Sequence, residues 1–184
     1  AGNYFYLNIS SKKYSVKEYW NLREKVKRSR PNEITKLSEL SSTLKNLLDK
    51  SISEKLVADV PLGFLLSGGV DSSLITGLAS RFRDKISTYT VIFPNFSEFD
   101  ESKYARLISQ SFKTDHHEIV ADEISPKILD DMIYYFDEPF VDSSMIPTYL
   151  ICKEISNSCK VAIGGDGGDE LFGGYSHYNR FIQL

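Results

Sequence analysis

Leu62-Gly63-Phe64-Leu65-Leu66-Ser67-Gly68-Gly69-Val70-Asp71-Ser72-Ser73 is the stretch on which the fold turns. A short apolar run of strand character ends in a glycine pair, and helix-period apolar residues continue over Ser72 to Phe82. A strand, a glycine turn and a helix start in this order make an anion site, because unpaired backbone N–H groups and the positive end of the helix dipole face one point. Two glycines with Asp71 as a helix cap would also serve a plain turn. The complete strand, SGGVDSS and helix arrangement favours the anion site.

Working outward, the same unit recurs. Apolar runs at Leu62 to Leu66, Ser87 to Phe93, His116 to Val120 and Lys160 to Ile163 read as strands; Ser72 to Phe82, Glu101 to Phe112, Ser125 to Phe136 and Ile146 to Asn157 read as helices. Strands alternating with helices of this length predict an α/β fold, a doubly wound parallel sheet with helices on both faces. Ligands of such sheets gather at the carboxyl ends of the strands. Upstream, Leu37, Leu40, Leu44, Leu47, Leu48, Ile52 and Leu56 mark a long amphipathic helix with one packing face. Tyr4 to Ile9 and Tyr14 to Tyr19, parted by Ser10-Ser11-Lys12-Lys13, read as a β-hairpin, and Asn21 to Asn32 as a linker. The expected division is 1–32 for hairpin and linker and 33–184 for the α/β domain.

The 184 residues are 41% hydrophobic and 26% charged, enough for a core without disulfides or metal staples. A formal charge of -3 argues against nucleic acid and membrane surfaces as partners. The basic run Arg23 to Arg30 reads as a solvated segment. Cys152 and Cys159, if on one helix, sit about 10 Å apart along it, too far for a disulfide, so a reducing, cytoplasmic setting is the expectation. No apolar run approaches the roughly 18 residues that would cross a bilayer.

The Ser67–Ser72 loop carries no lysine of the GxxxxGK[ST] kind, so another cation must balance phosphate charge. Asp71 inside the anion turn would repel phosphate unless a hard divalent ion lies between them, which implies Mg²⁺. The last strand runs into Gly164-Gly165-Asp166-Gly167-Gly168-Asp169-Glu170-Leu171-Phe172-Gly173-Gly174-Tyr175. Crowded carboxylates and glycines are unfavourable for folding alone, through charge repulsion and backbone entropy. A ligand or metal relieves both; an acidic surface turn is the plain alternative.

SGGVDS resembles the SGGxDS signature of the ATP pyrophosphatases, and GGDGGDELFGGY resembles the GEGSDELFGGY-type signature of the glutamine-hydrolysing asparagine synthetases. The likeness runs from the hairpin through Ile146-Pro147-Thr148-Tyr149-Leu150 to Tyr175. It implies that ATP is cleaved between its α and β phosphates, that a carboxylate is adenylated, and that ammonia from a glutaminase domain displaces AMP to give asparagine or another amide. By the same resemblance, Ser67, Gly68, Gly69, Asp71 and Ser72 hold the pyrophosphate, and Asp71 and Asp169 hold Mg²⁺. Leu65, Val91 and Gly165 line the AMP site. Asp166 lies beside the acyl-adenylate; as a carboxylate there it can accept the proton that ammonia must lose after attack. Glu170 is expected to be buried and structural.

Two positions depart from the family pattern. Gly164 stands where Ser is common, and Ser143 stands where an Arg tends to meet the carboxylate of aspartate. Burying that carboxylate without a cation is unfavourable. Aspartate is therefore not the secure acceptor. Resemblance to relatives with DSS-type segments, proposed to amidate a sugar carboxylate, implies that such a carboxylate is an alternative, and a nucleotide-binding fragment without turnover is a further reading. Ala1 and the two cysteines are not placed to hydrolyse glutamine, and a homodimer is the assembly kept open. His116 and His117, adjacent on a strand, point to opposite faces and cannot easily share a metal. The hairpin aromatics are expected to pack on a neighbouring domain rather than stack on bases, and Phe93 to Ser102 reads either as a cover for the nucleotide or as a plain loop.

Overall fold

A computed structural model of the protein describes residues 2–28, 36–94, 100–121, 126–136, 138, 142 and 144–182. The chain divides into two compact units, Ala1–Lys45 and Asn46–Leu184. In the first, β1 (Asn3–Asn8) and β2 (Lys13–Glu18) form an antiparallel hairpin in the register Asn3 to Glu18 through Asn8 to Lys13. Its turn is held by the Ser11 N–H donating to Asn8 Oδ1 at 2.9 Å, with Lys12 taking a positive φ of 53°. Phe5 stacks on Tyr14 across the strands at 5.5 Å.

The segment read as a linker contains a helix, α1 (Leu22–Arg28). The reason is local. Leu-Arg-Glu-Lys-Val-Lys-Arg is made mostly of strong helix formers, and Asn21 Oδ1 accepts the Glu24 N–H at 3.2 Å as a cap. Charge had masked a propensity that needs no apolar face. No residue of α1 is buried; residues 29–35 lie outside the described residues.

α2 (Leu37–Lys55) follows the predicted leucine stripe, but only its far end packs. Ile52 and Leu56 are buried, whereas Leu37, Leu40, Leu44 and Leu47 are exposed. A stripe shows which face can be buried; only a partner decides how much of it is.

The second unit is built on four parallel strands, β3 (Leu62–Leu65), β4 (Ser87–Ile92), β5 (Asp115–Val120) and β6 (Val161–Ile163), in the order β5-β4-β3-β6. α3 (Val70–Ala79) links β3 to β4, α4 (Ser102–Phe112) links β4 to β5, and α5 (Pro126–Phe136) and α6 (Met145–Ile155) precede β6. The predicted strands and helices are all present. Alternation along β3 separates two cores. Phe64 packs with Ile163, Ile52, Leu56, Leu78 and Ala79 on the α2 and α3 side. Leu65 faces the other way with Tyr89, Val91 and Ile119 beneath Ile151 and Ile155 of α6. Each large apolar side chain so buried contributes about 1.5–3 kcal/mol. The parallel sheet thus has helices on both faces.

The chain moves outward from β3 through β4 to β5, then returns to add β6 on β3's other edge. The order reverses between β3 and β6, and crossovers on either side of that point leave a crevice at the strands' carboxyl ends. Both glycine-rich segments begin there.

β5 confirms that its two histidines diverge. His116 Nδ1 lies 2.9 Å from Thr88 Oγ1. His117 stacks on Tyr89 of the opposite face at 4.9 Å. Burial lowers the His116 pKa below the ordinary 6.5, Glu118 opposes that shift, and His117 and Arg106 add to it. The native state therefore prefers neutral imidazole, and the unfolded chain takes up more protons once the pH drops below about 6.5. Stability is expected to fall as pH is lowered through that value, the loss levelling off below the native pKa. Thermal unfolding of His116→Gln between pH 7 and 5 should show a flatter pH dependence than the parent chain; equal slopes would refute the assignment.

Candidate functional site

The first wall of the crevice is the turn from β3 into α3. Gly68 takes a positive φ of 86°, and Gly69, at φ -65° and ψ 166°, is the extended residue that starts α3. No side chain caps that helix start. The N–H groups of the first turn have no intrahelical acceptors and remain available to an anion.

Serine hydroxyls brace the turn from within. Ser67 Oγ lies 3.0 Å from Ser72 Oγ and accepts the Gly69 N–H at 3.2 Å. Ser72 Oγ accepts the Ser67 N–H at 3.3 Å and reaches the Gly69 carbonyl at 3.3 Å. Ser72 is buried, so its hydroxyl holds the loop's shape. Gly68 has a similar task. A Cβ there would stand 2.6 Å from Tyr104 Cβ and 2.7 Å from the Ala105 backbone nitrogen, so its missing side chain lets the loop pass beneath α4.

The second wall runs from β6 into α7 (Gly168–Phe172). Gly167 takes a φ of 89°, and the Gly168 N–H closes the turn on the Gly165 carbonyl at 3.1 Å. Here glycine permits contact between the two motifs. A Cβ on Gly165 would stand 2.9 Å from Asp71 Cβ, and one on Gly168 would stand 2.6 Å from Asp71 Cγ. The Asp71 carboxylate therefore rests against the backbone of the second loop. Motifs about 95 residues apart in sequence, from Asp71 to Asp166, share one site because β3 and β6 are neighbours.

A cavity of about 590 Å³ lies between them. Of the residues singled out in the sequence, Leu65, Ser67, Gly69, Asp71, Ser72, Gly165, Asp166 and Asp169 line it. Val91 lines a neighbouring, more apolar cavity of about 210 Å³ whose wall also includes Leu65 and Ser67. Gly68 belongs to neither wall and acts beneath α4. Asp166 folds back, its Oδ2 2.6 Å from where a Cβ on Gly164 would be.

Glu170 corrects the expectation of a buried structural residue. It is exposed, lines the larger cavity and accepts the Tyr175 O–H at 2.7 Å. Its place on the five-residue α7 turns it outward, which residue type alone did not show. That hydrogen bond lowers the Glu170 pKa and pushes Tyr175 up to about 12. Tyr175 also lines the cavity and was missed as a site residue; the tyrosine ending a glycine-rich acidic motif was the available signal. Ser143 and residues 95–99 of the candidate covering loop lie outside the described residues; Phe93 and Glu101 at that loop's ends line the smaller cavity. Both cysteines are free, Cys152 exposed and Cys159 buried past the end of α6. Among the described residues no helix is long and apolar enough to cross a membrane.

Both loops fall within one family match. The family model for asparagine synthase matches residues 43–183. A putative glutamine-hydrolysing asparagine synthetase of Methanocaldococcus jannaschii is 37% identical over 141 residues, 74% of this chain and 27% of that protein. The glutamine-hydrolysing asparagine synthetase 1 of Bacillus subtilis is 36% identical over 155 residues, 82% of this chain and 24% of that protein. The chain thus spans about a quarter of the length of these relatives. Among solved structures, the NH3-dependent NAD synthetase of Campylobacter jejuni superposes with a TM-score of 0.46 at 18% identity, covering 73% of this chain and 60% of that one. With the family model spanning the sheet, both loops and the cavity between them, the chain belongs to the asparagine synthase family.

Proposed function

We propose that this chain is the ATP-using part of an amide-forming ligase: it adenylates a carboxylate, aspartate or a related acceptor, with release of pyrophosphate, and ammonia then displaces AMP. The observation that carries this reading is the meeting of an uncapped, glycine-opened helix start with Asp71, Asp166 and Asp169 around one cavity. The family relationship supplies the reaction class.

Each residue has a part that follows from its position. Gly69 and the first-turn N–H groups of α3 hold the departing pyrophosphate. Leu65 and Val91 give the nucleoside an apolar wall continuous with the phosphate end, since Leu65 and Ser67 border both cavities. Asp166, on the loop opposite, takes the proton released when ammonia attacks the activated carbonyl.

The donor set fits Mg²⁺. Asp71 and Asp169 line the same cavity, and the glycine cradle at 168 admits the Asp71 carboxylate. Among the described residues no group of three or more potential ligand side chains gathers, so phosphate and water oxygens would complete the shell, as Mg²⁺ prefers. When bound, the ion neutralises charge on the leaving pyrophosphate. The ammonia would come from a glutaminase domain, as the names of the relatives suggest, with residues 1–32 as the remnant of its junction and 33–184 as the synthetase domain.

The test is pyrophosphate release from ATP by the chain with Mg²⁺, ammonium and a panel of carboxylates including aspartate and uronic acids. One acceptor should yield AMP, pyrophosphate and an amide in equal amounts. Nucleotide binding without AMP formation from any acceptor would reduce the chain to a nucleotide-binding module.

A further inference from the structure

Beyond the metal carboxylates themselves, the segment following α7 has a geometry that the reaction chemistry does not demand. α7 ends at Gly173, whose φ of 70° reverses the chain, and the Gly174 N–H returns to the Asp169 carbonyl at 3.0 Å. The space that a Cβ on Gly174 would occupy is taken by Asp169 Oδ1. The Asp169 carboxylate is thus laid over the backbone of this turn. Directly after it, Tyr175 reaches back across the turn to Glu170 at 2.7 Å. Its ring is stacked on His177 at 5.2 Å and meets Tyr178 edge-on at 5.6 Å, which fixes its orientation.

We propose that the Tyr175 to Glu170 hydrogen bond is a positioning lock, which closes the Gly173–Gly174 turn and thereby sets the direction in which the Asp169 carboxylate enters the cavity. The lock acts through Asp169 and makes Tyr175 a positioning residue. The phenol remains a donor throughout the working range because its pKa stands at about 12. Glu170, adjacent to Asp169, serves as acceptor in this role and is not required as a ligand. The inference rests on the metal assignment above, but the lock itself has an observable that needs no metal, the protection of the Gly174 amide.

Two measurements on the 184-residue chain test it. The first is Mn²⁺ titration in the presence of a non-hydrolysable ATP analogue, followed by the paramagnetic signal; the second is hydrogen exchange at the Gly174 amide without metal. Tyr175→Phe and Glu170→Ala should each weaken Mn²⁺ binding about tenfold, as loss of an outer-shell partner does, and each should speed Gly174 exchange. Glu170→Gln keeps an acceptor oxygen and should restore both to near the parent values. The lock is overturned if Tyr175→Phe matches the parent chain in both measurements. It is also overturned if Glu170→Gln is as poor as Glu170→Ala, since charge would then be the active property. If the parent chain with nucleotide takes up no Mn²⁺, the metal assignment falls. Faster Gly174 exchange in Tyr175→Phe would then still establish the lock, and unchanged exchange would remove it as well.

Discussion

Asp71→Asn is expected to weaken Mg·ATP binding by about a hundredfold or more while leaving the unfolding temperature near that of the parent chain. Asp71 lies in the first turn of α3, where a formal negative charge beside a phosphate site is repulsive unless a cation intervenes. Removing even an outer-shell partner of a metal costs about 10–100-fold in affinity, and a direct ligand costs at least as much. Asparagine is nearly isosteric, so it still fits against Gly168, where the Asp71 carboxylate now rests. Calorimetry with and without Mg²⁺ separates the effects: ATP alone should bind the variant no more weakly than the parent, because a repulsive charge is gone. Asp169→Asn should behave likewise from the other wall. Unchanged Mg·ATP affinity in both variants would sink the metal assignment.

The second large effect is on the loop itself. Gly68→Ala is expected to lower stability by about 2–5 kcal/mol, combining the roughly 1–2 kcal/mol penalty of a left-handed residue with an overpacking cost of about 1–3 kcal/mol. The left-handed φ of 86° is one cause. The contact is the other, since the new methyl would stand 2.7 Å from the Ala105 backbone nitrogen and 3.0 Å from the Tyr104 carbonyl carbon. Backbone atoms of a packed helix cannot move aside as a flexible side chain can. For a domain of this size the melting midpoint should fall by roughly 4–20 °C, and whatever folds should bind ATP poorly because α4 and the loop have parted. Gly69→Ala is the control. Gly69 has a φ of -65°, and the nearest atom to its added methyl is Ser67 Oγ at 3.3 Å, so its loss of stability should be much smaller. Equal melting midpoints for the two variants would contradict this account.

Much of the fold was legible before any coordinates. The alternation of short apolar runs with helix-period segments set the strands and helices of the α/β unit, and Ser67 to Ser72 stood out because a strand, glycines and a helix start coincide. Where reading failed, the deciding term was local for one element and tertiary for the others. Asn21 to Asn32 looked like a linker by charge, yet Asn21 capping Glu24 was enough to start α1. The leucine stripe of α2 was real, but burial reached only its last turns. Glu170 gave no local sign of exposure, because the direction a side chain takes from a five-residue helix depends on how the loop before it is turned.

By itself, the sequence determined the strand and helix alternation, the glycine-opened turn with Asp71, and the acidic segment ending at Tyr175, since all follow from periodicity, turn chemistry and charge within a few residues. Only the tertiary structure brought β6 beside β3 and so placed Asp71 against Gly165 and Gly168. It alone gave Gly68 its role under α4 and Tyr175 its bond to Glu170. The physical reason is that strand order and loop direction are fixed by packing among distant segments. Local propensity says what each segment is; burial of both sheet faces decides where it goes and which carboxylates share a cavity.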